Sequence, residues 1–203
     1  MCIRDSPNTG GMGAYSPAPV VTPELHERVM AQIIRPTVDG MAAEGNRYTG
    51  FLYAGLMITK SGEPKVIEYN CRFGDPETQP IMMRLESDFA ALCLATLQGT
   101  LKNHSVEWSD NSALGVVLAA QGYPGDYPKG YSINGLDQVD ESHCKVFHAG
   151  TAIATDPSTN KNSVTGQGGR VLCVTAIGNT IAEAQQAAYQ NVIKIHWDGM
   201  QYR

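Results

Sequence analysis

Val29, Ile33 and Ile34 recur at the spacing of one helix face, behind a Thr22-Pro23-Glu24 opening. That opening supplies an N-cap, a first-turn proline and early negative charge. Pro36 lacks the N–H a helix interior needs, so a kink or interruption is expected there, with Val38 and Met41 carrying helix on towards Gly45. Two strand-like runs, 50–58 and 65–71, flank Ser61-Gly62-Glu63, the pattern of an antiparallel hairpin. Residues 80–85 can be helical. Ser87-Asp88 followed by Phe89, Leu92, Cys93, Leu94 and Leu97 reads as an amphipathic helix ending near Gly99.

The apolar pattern lapses over 102–111, and the character of the chain changes after it. Residues 113–120, 144–154 and 170–177 read as strands, and Thr180-Ile-Ala-Glu opens an alanine-rich helix expected to reach about His196. Residues 155–169, polar and glycine-containing, are expected to form a surface hairpin loop. The pattern is that of an α+β fold: helices and an antiparallel hairpin before a boundary near 102–111, and mostly strands with a terminal helix after it.

Composition narrows the function classes. An apolar content of 42% in 203 residues suffices for a core, and a net charge of −5 gives no general attraction to nucleic acid or an anionic membrane. Cys2, Cys71, Cys93, Cys144 and Cys173 are odd in number and contain no C-x-x-C pair. Reduced, mostly buried thiols are expected, rather than a disulfide framework or zinc site. No apolar run approaches the roughly 18 residues that span a bilayer, and the cytoplasm is the expected compartment.

The densest chemistry lies on the second hairpin strand. Glu68, Asn70 and Arg72 alternate, so an extended strand points them one way, with Ile67, Tyr69 and Cys71 expected on the other face against a core. Glu68 and Asn70 offer oxygen ligands of the kind Mg²⁺ takes, and Arg72 adds a fixed fork for a phosphoryl oxygen or carboxylate. Asp75 and Glu77 sit in a turn shaped by Gly74 and Pro76. Two roles stay open for Asp75: capping the following helix, or holding an incoming amine. Asn8-Thr9-Gly10-Gly11-Met12-Gly13 can present backbone N–H groups to a phosphate or carboxylate. The five histidines are scattered, His148 reading as a sheet residue, and 166–170 lacks the lysine and helix of a phosphate loop.

Arg72-Phe-Gly-Asp-Pro-Glu-Thr-Gln79 resembles the signature octapeptide of the phosphoribosylamine-glycine ligase family, ATP-grasp enzymes of purine biosynthesis. Residues 7–17, 48–57, 122–127 and 146–151 resemble further blocks of that family in its order, so the likeness spans roughly residues 7–198. The resemblance implies that 7–103 is the second part of an ATP-grasp domain and 112–203 its small C-terminal domain. Residues 1–6 do not resemble the family and are expected to be a foreign start. Family members are about twice this length, so the chain is expected to need a missing N-terminal half and to be inactive alone.

The resemblance also implies roles. Glu68 and Asn70 would hold Mg²⁺ or Mn²⁺ bridging ATP phosphates, Arg72 would steady the transferred group, and Asp75 would hold the amine. Asn8, Thr9, Gly10, Gly11 and Gly13 would bind substrate. The expected substrates are ATP, glycine and 5-phosphoribosylamine, with an ATP-grasp ligase for another carboxylate as the alternative.

Overall fold

A computed structural model describes residues 9–155, 157–158 and 160–203. Met1–Ser6, Asn8 and Cys2 thus lie outside the described residues. The chain forms two compact units that interleave along the sequence: Pro17–Gly74 with Leu85–Trp108, and the N-terminal stretch to Ser16 with Asp75–Arg84 and Ser109–Arg203.

The larger unit is built on a four-stranded antiparallel sheet. Strands β1 (Gly13–Ser16), β4 (Ser112–Ala119), β9 (Arg170–Gly178) and β6 (Cys144–His148) lie in the order β1-β4-β9-β6. β4 and β9 are buried along nearly their whole length, which suits their Val, Leu and Ala runs. Helix α5 (Ile181–Val192) covers one face, where Ala188 and Val192 join Val116, Leu118, Leu172 and Val174 in the core. Helix α3 (Thr78–Arg84) covers the other, Pro80 approaching the spot where Gly115 has no side chain. Arg84 ends α3 and donates to the carbonyls of Ser109 and Asn111 and to Ser16 Oγ, at 2.8–2.9 Å.

Several local expectations hold. Thr180 Oγ1 caps α5 by accepting from Glu183 N, and Glu183 returns by accepting from Asn179 N. The helix nevertheless ends at Val192, short of His196, because His196 instead bridges Asn134 as extended chain. Residues 144–154 form two strands rather than one, breaking at Ala149-Gly150. The second, β7 (Thr151–Thr155), enters a different sheet, β5-β8-β7, with β5 (Tyr131–Ser132) and β8 (Asn162–Gly166). β8 lies in the stretch expected to be a loop. Its polar side chains hide its strand character, and pairing on both sides supplies what local pattern does not.

In the smaller unit, Thr22 Oγ1 caps α1 (Pro23–Val29) as expected, accepting from Leu25 N at 3.2 Å. The regular α-helix is interrupted ahead of Pro36, as expected: a π-helical stretch, Met30–Ile34, precedes it, and helix resumes as α2 (Arg35–Ala43). The Arg35 N–H reaches the Met30 carbonyl, and Thr37 Oγ1 donates to the Ile33 carbonyl at 2.7 Å. Strands β2 (Tyr53–Ile58) and β3 (Pro64–Asn70) form the expected hairpin, and α4 (Phe89–Leu97) is capped by Asp88. Phe51, Phe73 and Phe89 stack with centroids 4.1–5.9 Å apart. The face of α4 bearing Leu94 and Leu97 lies open, Leu97 being 79% exposed.

Among the described cysteines Cys144 and Cys173 are buried, Cys93 is half-buried and Cys71 exposed, all as free thiols. Burial pushes both Cys144 and Cys173 up to about 11 from 9.0. The unfolded chain ionises these thiols near pH 9 while the fold keeps them protonated. Their contribution is therefore complete below pH 9 and is lost as pH rises towards about 11. Urea midpoints should fall through this window, and fall less in a Cys144→Ala/Cys173→Ala variant; equal slopes would count against the assignment.

Candidate functional site

Glu68 and Asn70 lie on β3 opposite Gly55 and Tyr53 of β2. Two-residue spacing puts them on one face, and Asn70 Nδ2 donates to Glu68 Oε1 at 3.2 Å. Asn70 Oδ1 and Glu68 Oε2 take no part in that bond, so two hard oxygen donors stand side by side. Gly55 makes room: a Cβ there would come within 3.0 Å of Glu68 Cγ. Among the described residues no three His, Cys, Asp or Glu side chains gather as a full cage. The pair suits a cation that completes its shell with water and ligand phosphates.

Two expectations about this strand need correction. Ile67 is 63% and Tyr69 41% exposed, and Cys71 is exposed too, so the far face does not pack against a core. The reason is architectural: β3 pairs with β2 in a two-stranded sheet, which is too narrow to sit over a core, and Tyr69 is steadied by a 2.8 Å bond between its hydroxyl and Thr37 Oγ1. Arg72 lies beyond the strand, which ends at Asn70, in a bend where its Nη1 donates to the Phe73 carbonyl at 2.9 Å. Strand alternation therefore does not govern its direction.

The remaining candidates belong to the larger unit. Thr9–Met12 lead into β1, and Gly13 opens that strand opposite Val116. A Cβ on Gly13 would stand 2.9 Å from the Gly115 carbonyl, which gives this glycine a packing reason. Gly10 N donates to Tyr123 Oη at 3.0 Å, so that amide is already occupied. Asn8, the first residue assigned to the loop, lies outside the described residues.

Asp75 precedes α3. Its Oδ1 accepts from Gln79 Nε2 at 3.2 Å, and its Oδ2 pairs with Arg170 Nη2 at 2.9 Å. Arg170 Nη1 also donates to the Asp75 carbonyl at 2.7 Å and the Gly11 carbonyl at 3.1 Å. The structure thus brings the glycine loop and Asp75 together through a residue the sequence reading passed over. Arg170 sits in a glycine-rich turn, and nothing local separates it from an ordinary first residue of a strand. A solitary arginine beginning a buried strand is the available signal, and it is weak. His148 lies on β6 with Nδ1 3.0 Å from Thr151 Oγ1, as a sheet residue.

A second glycine reports how tight this site is. A Cβ on Gly11 would lie 2.5 Å from Pro76 Cδ, whereas one on Gly40 within α2 would meet nothing within 4 Å. Gly11→Ala is expected to destabilise the larger unit by about 1–3 kcal/mol. Gly40→Ala should stabilise the smaller one by about 0.5–1 kcal/mol. Thermal unfolding of both variants checks this; a neutral Gly11→Ala would show that the loop can move away from Asp75–Pro76.

Comparison with known proteins adds independent findings. Residues 4–78 match the family described as phosphoribosylglycinamide synthetase, ATP-grasp (A) domain, and residues 113–203 match the C domain of the same synthetase. The phosphoribosylamine–glycine ligase of Vibrio cholerae is 63% identical over 194 residues, covering 96% of this chain and 44% of the relative. That of Escherichia coli strain K12 is 62% identical over 192 residues, covering 95% and 44%. The chain thus spans less than half the length of these relatives. A crystal structure of phosphoribosylamine–glycine ligase from Thermotoga maritima superposes with a TM-score of 0.80 at 36% identity, covering 97% of this chain and 46% of that one. The biotin carboxylase domain of a thermophilic 2-oxoglutarate carboxylase shares the fold at 14% identity, with a TM-score of 0.64 and coverage of 94% and 41%.

Proposed function

Since this chain belongs to the phosphoribosylglycinamide synthetase family, with stretches of both its A and C domains, we propose that it serves as the C-terminal part of an ATP-dependent carboxylate–amine ligase. The substrates are ATP, glycine and 5-phosphoribosylamine. Residues 7–103 act as the second part of the ATP-grasp domain and 112–203 as the C-terminal domain. The observation that carries the reading is the Glu68–Asn70 pair, two adjacent oxygen donors on an exposed strand face that runs into the Arg72–Gln79 octapeptide.

In this reaction the γ-phosphoryl group of ATP passes to a glycine carboxylate oxygen, releasing ADP and leaving glycyl phosphate. The neutral amine of 5-phosphoribosylamine then attacks the carbonyl carbon; the C–O bond to phosphate breaks and the amine gives up a proton. Activation is required because a free carboxylate is a poor electrophile. Glu68 and Asn70 would hold Mg²⁺ or Mn²⁺, which when bound offsets the charge on the phosphates. Arg72 gives a guanidinium to the charge on the transferred group. Asp75 orients the amine by accepting its N–H, and the Thr9–Gly13 loop, with Asn8 before it, borders the substrate. Among the described residues no helix is long and apolar enough to cross a membrane.

A second reading, that the 203-residue chain has no activity alone, is favoured by β3, whose two faces both lie open to solvent. The N-terminal part of the Vibrio cholerae relative, fused or added as a separate chain, should yield phosphate release that requires both glycine and 5-phosphoribosylamine. Glu68→Ala should lower that release at least about 100-fold. A folded assembly that releases phosphate only with a different carboxylate would overturn the choice of substrate, and unchanged activity in Glu68→Ala would overturn the metal assignment.

A further inference from the structure

Arg170 is the first residue of β9, and its side chain is 22% exposed, against 48% for Asp75. Its guanidinium serves two segments separated by about sixty residues of sequence. Nη1 is shared between the Gly11 and Asp75 carbonyls, while Nη2 faces Asp75 Oδ2. Gly10 lies flat against the same group, since a Cβ there would stand 2.9 Å from Arg170 Cζ. Tyr123 Oη also accepts from Gly10 N at 3.0 Å. The loop is thus tied at consecutive residues, and both oxygens of Asp75 are engaged, one by Arg170 and one by Gln79.

A planar fork can serve three acceptors in this way; a lysine ammonium on a flexible stem cannot hold the same directions. An ion pair partly open to water adds little stability, so the arrangement is better suited to fixing geometry. It also fixes charge. A lone carboxylate beside an amine favours the ammonium form, which has no free pair with which to attack; a carboxylate compensated by a guanidinium favours it less.

We propose that Arg170 is a positioning residue that locks the Thr9–Gly13 loop and Asp75 into one constellation and compensates the Asp75 charge, so that the site orients a neutral amine. This rests on the ligase reading above. The other titratable groups about this constellation include Cys173 on β9, Tyr123, and Arg203, whose Nη2 donates to Thr9 Oγ1 at 3.4 Å. The Cys173 thiol is pushed up to about 11 by burial, with Asp75 among the contributors, and so remains protonated at working pH.

Two measurements test it, the first independent of activity. In amide NMR spectra of the 203-residue chain, Arg170→Gln and Asp75→Asn should move the same Gly10, Gly11 and Met12 signals, the double variant adding little. Loop signals that ignore Arg170→Gln would overturn the proposal whatever the enzyme does. In the completed enzyme, Arg170→Gln should lower kcat about 100-fold with the KM for ATP unchanged, as expected when a reacting group is displaced by about 1 Å. Added guanidinium ion should partly rescue Arg170→Ala. The acid limb of kcat, which reports ionisation in the bound complex, should move to higher pH in Arg170→Gln, because an uncompensated Asp75 retains the bound amine as ammonium. Normal kcat, or a lower kcat with an unmoved acid limb, would reject the charge role. Absence of turnover in the parent assembly would count against the ligase reading and leave the NMR result to decide the locking role.

Discussion

The pairing of β4 with β9 is the contact on which the larger unit depends. It runs from Ser112↔Gly178 to Leu118↔Leu172, with a bulge before Ala119↔Arg170, and nearly every residue in it is buried. β1 adds to one edge of this pair and β6 to the other, while α5 and α3 close its faces. Stretches that lie more than a hundred residues apart in sequence become neighbours only because this antiparallel register exists. Each site element of the unit hangs from it: Gly13 opens β1, Gln79 rides on α3, and Arg170 begins β9 at the bulged end. Losing the register would release the loop and Asp75 together.

Around this spine the packing is tight enough to choose residues by size. A Cβ on Gly115 would lie about 3 Å from Cys173 Sγ and Thr175 Oγ1, and Gly150 and Gly168 meet backbone to backbone. Such approaches leave no space for a Cβ, so these glycines are set by neighbours rather than by local turn geometry. The same closeness makes the buried thiols difficult to ionise, since no water reaches them.

The smaller unit follows a different physical logic. Its hairpin is two strands wide, and its stability comes from capped helices, the π-helical passage into α2 and the Phe51–Phe73–Phe89 stack. A ribbon this narrow leaves β3 exposed on both faces. Glu68 and Asn70 are thereby accessible, and Ile67 is left in water.

What the sequence determined by itself is the chemistry that neighbours along the chain decide. Thr22, Asp88 and Thr180 cap their helices because a side-chain oxygen needs only the next few amides. Gly62 turns the hairpin, and the Glu68–Asn70 spacing makes a pair of donors, because a two-residue period is a property of the extended backbone itself. The family, too, was legible in contiguous blocks such as Arg72–Gln79. What tertiary structure alone decided is what depends on residues far away: the strand character of β8, the open back of β3, and the place of Arg170. A polar strand or an arginine in a glycine-rich turn has no local signature, since its state is set by hydrogen bonds to partners that only folding brings within about 3 Å.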